Sequence, residues 1–242
     1  MNLEGKVALV TGSAVRLGKA LAIALARDGA RLAIHHSQST ERAEETVAGI
    51  KALGGDAFPV QADLSQPGSA SGVIEHTVNH FGRLDILVNS AAIFEPGDLA
   101  DTTEALWDRH FDINLKAPFF LSQAFAAHVG GERQGHIVNI VDWRAIRPRP
   151  HYLAYTLTKA ALVTMTQSLA LALAPNIRVN AIAPGAILPP PGKGRDYLEQ
   201  LADTIPLRRS GTPKDVAQAL LFLLSSDFIT GELIFVTGGE HL

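Results

Sequence analysis

What most constrains this chain is a regular alternation of short apolar runs with longer helix-like stretches. The runs are KVALVT (6–11), RLAIHH (31–36), DAFPVQAD (56–63), LDILVN (84–89), IVNIV (137–141), IRVNAIA (177–183) and ELIFV (232–236). Between them lie LGKALAIALARDGA, a polar segment from Thr40 to Leu53, Gly68 to Phe81, a long stretch between Asp101 and Val129, Tyr152 to Leu173, and DVAQALLFLL. Strands of near-continuous apolar character belong to a parallel sheet covered on both faces. Right-handed crossovers then give a doubly wound α/β domain of the Rossmann type, with a central parallel sheet of about seven strands. No Pro/Gly/Ser linker interrupts the pattern, so residues 1–242 read as one domain. Ligands of such a sheet bind outside the carboxyl ends of its strands.

Bulk properties narrow the function. The net charge of −3 gives no basic field for nucleic acid or an acidic membrane surface. The absence of cysteine excludes disulfides, thiolate metal sites and a cysteine nucleophile. MNLEGKVALVTG runs straight into a strand-like segment and no apolar run has spanning length, so a cytoplasmic protein is expected.

The first strand–helix turn, TGSAVRLG (Thr11 to Gly18), is a candidate dinucleotide site. Gly12 permits the tight turn, Gly18 permits close helix packing, and the helix start offers N–H groups to a pyrophosphate. An NAD site usually carries an acid after the second strand. Here that region reads HHSQS (35–39), and Arg16 lies within the turn, which suits a 2′-phosphate and favours NADPH. Leu17, His36, Ser37 and Leu64 are further cofactor-lining candidates. Asp63 could bond the adenine or cap the next helix.

A second constellation surrounds GHIVNIVDW (135–143), an apolar run that stops at the carboxylate of Asp142. In YTLTK, Tyr155 and Lys159 fall on one helix face, where an ammonium can tune a phenol. A carboxylate beside that phenol disfavours a phenolate, so Asp142 and Tyr155 should share a proton. Such a pair suits protonation of a ring nitrogen while hydride reaches the adjacent carbon.

The chain resembles the classical short-chain dehydrogenase/reductase family along essentially its whole length. TG…LG at 11–18, DL at 63–64, LVNSAA at 87–92, NLKAPFFLSQ at 114–123, YTLTK at 155–159, RVNAIAPG at 178–185 and ITGELIFVTGG at 229–239 carry the resemblance. It implies Asn114, Tyr155 and Lys159 as catalytic residues, and Asn89, Pro184 and Gly185 as cofactor-lining ones. Asp142 stands where most members have serine, and Arg16 where most have glycine. Together these two resemble the bacterial type of the pteridine reductase branch. That likeness implies NADPH-dependent reduction of a dihydropterin or dihydrofolate, with Phe94 stacking on the pterin and Arg16, Asp142 and Tyr155 at the substrate. Ser37 and Gln38 stand where the branch commonly carries arginine. The family resemblance also implies a homotetramer, with helix 216–224 and the last strand as contacts.

Other readings stay open. A carbonyl reductase of the same family, acting on a 3-oxoacyl thioester or similar, is the enzymatic alternative; a non-catalytic nucleotide-binding protein is another class. His76 and His80 have a metal-compatible spacing, but no third ligand is suggested. Arg144, Arg147 and Arg149 could attract an anionic substrate tail, and 187–201, with its three prolines, falls where the family carries a substrate lid.

Overall fold

The computed structural model describes every residue except Glu132, Pro191 and Arg195; the last of the three prolines therefore lies outside the described residues. The strands are β1 (Val7–Val10), β2 (Arg31–His36), β3 (Ala57–Gln61), β4 (Ile86–Asn89), β5 (Gly135–Ile140), β6 (Ile177–Pro184) and β7 (Leu233–Val236). They form one seven-stranded sheet in the order β3-β2-β1-β4-β5-β6-β7, every neighbouring pair parallel. The helices are α1 (Arg16–Arg27), α2 (Thr40–Ala52), α3 (Ser69–Phe81), α4 (Glu104–Phe111), α5 (Ala117–Val129), α6 (Leu153–Leu173), α7 (Asp196–Ala202) and α8 (Pro213–Ser225).

Both faces of the sheet are apolar, which is why the strands read as unbroken hydrophobic runs. Ala8, Val10, Ile86, Val88 and Val138 face Leu21 and Leu25 of α1 and Leu220 of α8. Val7, Leu9, Leu87 and Ile137 face the other way, onto Leu121 and Phe125 of α5. The strand order reverses between β1 and β4, so a crevice opens there. Among the described residues no helix is long and apolar enough to cross a membrane.

Three local departures from the sequence pattern matter. The long helical stretch is broken by a π-helical turn, Asp112–Lys116, between α4 and α5, and Asn114 sits in that turn. Helix α6 begins one residue later than its periodicity suggests, because Tyr152 adopts a left-handed conformation (φ 60°). The excursion after β6, the segment matching the family's substrate lid, contains a short helix, α7.

Two histidines are built into the sheet as neutral groups. His35 Nδ1 accepts the Gly12 N–H (3.1 Å), leaving Nε2 to donate to the Ala62 carbonyl (3.1 Å). It thus ties the first turn to the ends of β2 and β3. Burial pushes its pKa down to about 4, and that of His136, buried in β5, to about 3. Between those values and 6.5 the unfolded chain binds protons that the fold refuses, so stability falls as pH drops through 6.5. Going from pH 7 to pH 5 should lower the unfolding free energy by on the order of 2 kcal/mol per histidine. Urea titrations would show this, with His35→Asn removing about half of the loss; a flat profile would mean that the rings protonate inside the fold.

Candidate active site

A cleft of about 570 Å³ opens at the carboxyl ends of the strands. Gly12, Arg16, Leu17 and Gly18 form one wall, and His36, Ser37, Asp63 and Leu64 line its far end. Asp142, Tyr155, Lys159, Pro184 and Gly185 line the other. Both glycines of the turn are sterically required. Gly12 has φ 64°, and a Cβ there would lie 2.9 Å from the Ala91 Cα. A Cβ on Gly18 would run into the Gly12 carbonyl oxygen. The Thr11 hydroxyl accepts the N–H groups of Ser90 (2.9 Å) and Ala91 (3.0 Å), drawing the β4 loop against this turn.

Arg16 is exposed at the cleft rim in a left-handed conformation (φ 54°). Its Nη2 donates to the Pro189 carbonyl (2.7 Å), so the guanidinium spans from the first turn to the segment after β6. Asp63 Oδ1 accepts the N–H (3.0 Å) and hydroxyl (2.8 Å) of Ser65, which hold its carboxyl below the usual carboxylate range. It braces the turn after β3 and is not a helix cap, since α3 starts at Ser69 behind a left-handed Gly68.

At the other end, the end of β5 meets the start of α6. Tyr155 donates its hydroxyl proton to Asp142 Oδ2 at 3.0 Å. Asp142 Oδ1 accepts the Arg144 N–H (2.8 Å), capping the short 3-10 turn Trp143–Ala145. One carboxylate therefore does both jobs, cap and partner. The Arg144 guanidinium stands 3.5 Å from both oxygens. Burial raises the Tyr155 pKa well above 10, and the Asp142 charge and hydrogen bond add to that. Lys159 donates to the Ile140 carbonyl (2.8 Å), with Nζ 5.7 Å from the Tyr155 ring centroid. Its burial lowers the pKa to about 8, against the pull of Asp142.

Asn89 and Phe94 do not line this cleft with their side chains. Asn89 is turned away from the cleft: its Nδ2 donates to Asn139 Oδ1 (2.8 Å), and Asn139 donates in turn to Thr166 (2.9 Å), behind the sheet edge. Its chain neighbours Ser90 to Ile93 line the cleft instead. Phe94 lies outside the cleft lining as well, and Tyr152 stacks on one of its faces at 4.1 Å and 6°. Its ring still meets Tyr155 edge-on at 4.7 Å. Asn114 is fully buried and clamps Ile93, accepting its N–H (2.9 Å) and donating to its carbonyl (3.0 Å).

The arginines of the rim are partly engaged. Arg144 and Arg149 lie 5.0 and 5.6 Å from the Trp143 ring, and Arg147 Nε donates to the His241 carbonyl (3.1 Å). His80 stacks on Phe58 at 3.9 Å. The sequence reading missed His35 and Tyr152; the adjacent HH at 35–36 and the aromatic three residues before Tyr155 were the only signals.

With this geometry established, kinship follows. A family profile described as enoyl-(acyl carrier protein) reductase matches residues 12–241. The chain belongs to the short-chain dehydrogenase/reductase family. A 3-oxoacyl-[acyl-carrier-protein] reductase FabG of Staphylococcus aureus is 36% identical, covering 98% of each chain. An uncharacterized oxidoreductase of Methylorubrum extorquens is 39% identical, with 98% of each chain covered. The crystal structure of FolM alternative dihydrofolate reductase 1 from Brucella canis, complexed with NADP, superposes with a TM-score of 0.94 at 36% identity, covering 99% of this chain and 95% of that one. The short-chain dehydrogenase/reductase assignment makes this chain an oxidoreductase.

The lowered Lys159 pKa sets a pH limit. Its ammonium is present below about 8 and lost as pH rises through that value, whereas an ordinary lysine keeps it to 10.5. The pH profile of kcat/KM should therefore fall above about 8; a limb near 10 would detach Lys159 from catalysis.

Proposed function

We propose that the protein is an NADPH-dependent pteridine reductase, converting a dihydropterin or dihydrofolate to its tetrahydro form. The observation that carries this is the 3.0 Å hydrogen bond from Tyr155 to Asp142, in a position where a serine would serve carbonyl chemistry. Support comes from the RLG turn with Arg16 at the rim and from the likeness to a FolM protein crystallised with NADP.

When bound, NADPH supplies a hydride to the ring carbon, and the protein manages the proton. The glycine turn and the start of α1 would hold the pyrophosphate, Arg16 a phosphate, and Lys159 and Tyr155 the ribose. Ser37 and His36 would line the adenosine ribose, with Asp63 and Leu64 beside the adenine. A proton given from Tyr155 while Asp142 stays ionised would leave two negative charges within hydrogen-bond distance. The proton that Tyr155 gives must therefore be replaced as it leaves, and Asp142, its hydrogen-bond partner, is placed to relay the replacement. Asn114 fixes Ile93 and so the wall beside the reacting atoms; its side chain is occupied, so any bound water would rest on its backbone. Phe94 and Tyr152 form an aromatic flank beside Tyr155, against which a flat heterocycle can lie.

The alternative, reduction of a 3-oxoacyl thioester, is favoured by the FabG likeness. Exposed apolar side chains include Phe119 and Phe120 of α5, which packs on one face of the sheet, and Phe222 of α8, which packs on the other. A homotetramer would cover both.

NADPH oxidation followed in parallel with 7,8-dihydrobiopterin and an acetoacetyl thioester separates the two readings. Turnover of the pterin alone is expected. In Asp142→Ser, pterin turnover should fall about 100-fold or more, the usual scale of a general-acid contribution, with NADPH affinity little changed. Undiminished pterin turnover in that variant removes the basis of the reading.

A further inference from the structure

The segment Thr237–Leu242 packs behind the cleft rather than trailing from β7. Pro184 is paired with Val236, so Gly185 and Thr237 leave adjacent strands together. Gly238 (φ 64°) and Gly239 (φ 93°) then turn the chain back in a conformation that side chains rarely adopt. The reversal brings Glu240 beneath the turn after β6, where its Oε2 accepts the Ala186 N–H at 2.8 Å. The approach is close: a Cβ on Gly185 would lie 2.5 Å from that oxygen and 2.9 Å from the Thr237 Cα. The same segment holds the far end of the post-β6 excursion, since the Gly238 carbonyl accepts the Leu207 N–H (3.1 Å). Gly211 N–H closes the excursion by donating to the Ala186 carbonyl (3.0 Å). Both backbone polar groups of Ala186, its N–H and its carbonyl, are therefore fixed, and one of them depends on Glu240.

Parallel register explains why this matters at the cleft. Ile140 is paired with Ile182, which sets Asp142 level with Pro184. The turn that Glu240 supports thus lies beside the Asp142–Tyr155 pair, on the same wall of the cleft. We propose that Glu240 is a positioning residue for the cofactor cleft, holding the Pro184–Gly185–Ala186 turn from behind through the Ala186 N–H. The inference rests on the reading that this cleft takes NADPH. Burial raises the Glu240 pKa, while the Ala186 N–H, Arg144 and Arg149 draw it down and Asp142 opposes them. Its function as an anchor needs an oxygen at the right reach and does not need a charge.

That distinction supplies the test. Glu240→Gln keeps the acceptor without the charge, Glu240→Asp keeps the charge one methylene short, and Glu240→Ala keeps neither. NADPH dissociation constants by fluorescence titration should rise about tenfold in the Asp and Ala variants and stay within about twofold in Gln. Amide exchange at Ala186, measured without cofactor, should quicken in Asp and Ala and stay slow in Gln. Normal binding in both Asp and Ala, or impaired binding in Gln with a normal Asp variant, overturns the anchoring role. Absence of NADPH binding by the unaltered protein sinks the cofactor reading and this role together. Retained binding there, with unaltered exchange in all three variants, sinks the anchor alone.

Discussion

Parallel pairing is the constraint on which everything else depends. Because every neighbouring pair of the seven strands runs the same way, all their carboxyl ends emerge on one edge, and every following loop must cross it. The register then sets the chemistry. Val10 is level with Val88, Val88 with Val138, and Ile140 with Ile182, so the loops carrying Gly12, Ala91, Asp142 and Gly185 leave the sheet close together. A one-residue slip of β5 would turn its side chains to opposite faces and carry the Asp142 carboxylate away from α6. The sheet buries its apolar residues on both sides, and that burial is what opposes such a slip.

Within that frame, the charges near Tyr155 balance against burial. Keeping Lys159 charged while buried costs roughly 3 kcal/mol relative to water, judged from its descent from 10.5 to about 8. That cost is what remains after the pull of the Asp142 carboxylate, which Arg144 in turn holds at 3.5 Å. Tyr155 is left as the neutral member, with its ionisation opposed by burial and by Asp142. The arrangement disfavours the phenolate and keeps the proton on the phenol, which is what the proposed proton delivery requires.

How much of this the sequence discloses depends on the kind of interaction. Strand positions are legible because hydrophobic runs report burial directly, and the strand RLAIHH matches β2 residue for residue. Asp142 is legible because a carboxylate ends an apolar run. Asn89 is not, because a polar residue at a strand end can face the cleft or the sheet interior, and only the Asn139–Thr166 chain decides it. Phe94 is half legible: its aromatic character predicts a stacking partner, but that partner is Tyr152, supplied by a left-handed residue that no periodicity announces. Arg16 reads as a phosphate ligand from its place in the turn, while its bond to Pro189 joins residues 173 positions apart.

The Arg16–Pro189 bond adds a consequence for how the cleft is occupied. A guanidinium cannot be deprotonated at ordinary pH, so its positive charge is always available to an anion at the rim. A carbonyl is the weaker partner: it is neutral and accepts through one oxygen, whereas a phosphate adds opposite charge and can accept two parallel guanidinium N–H groups. A phosphate entering between the first turn and the post-β6 segment therefore competes favourably for Arg16 and frees Pro189. The segment that carries Pro189 is anchored at Ala186 by Glu240 and at Gly211 by a backbone bond, neither of which involves Arg16. Release at Pro189 then alters the rim without loosening the wall beside Asp142 and Tyr155. The charge at the rim and the placement of Asp142 and Tyr155 thus rest on separate supports, one on the Arg16 side chain and the other on the register of the sheet.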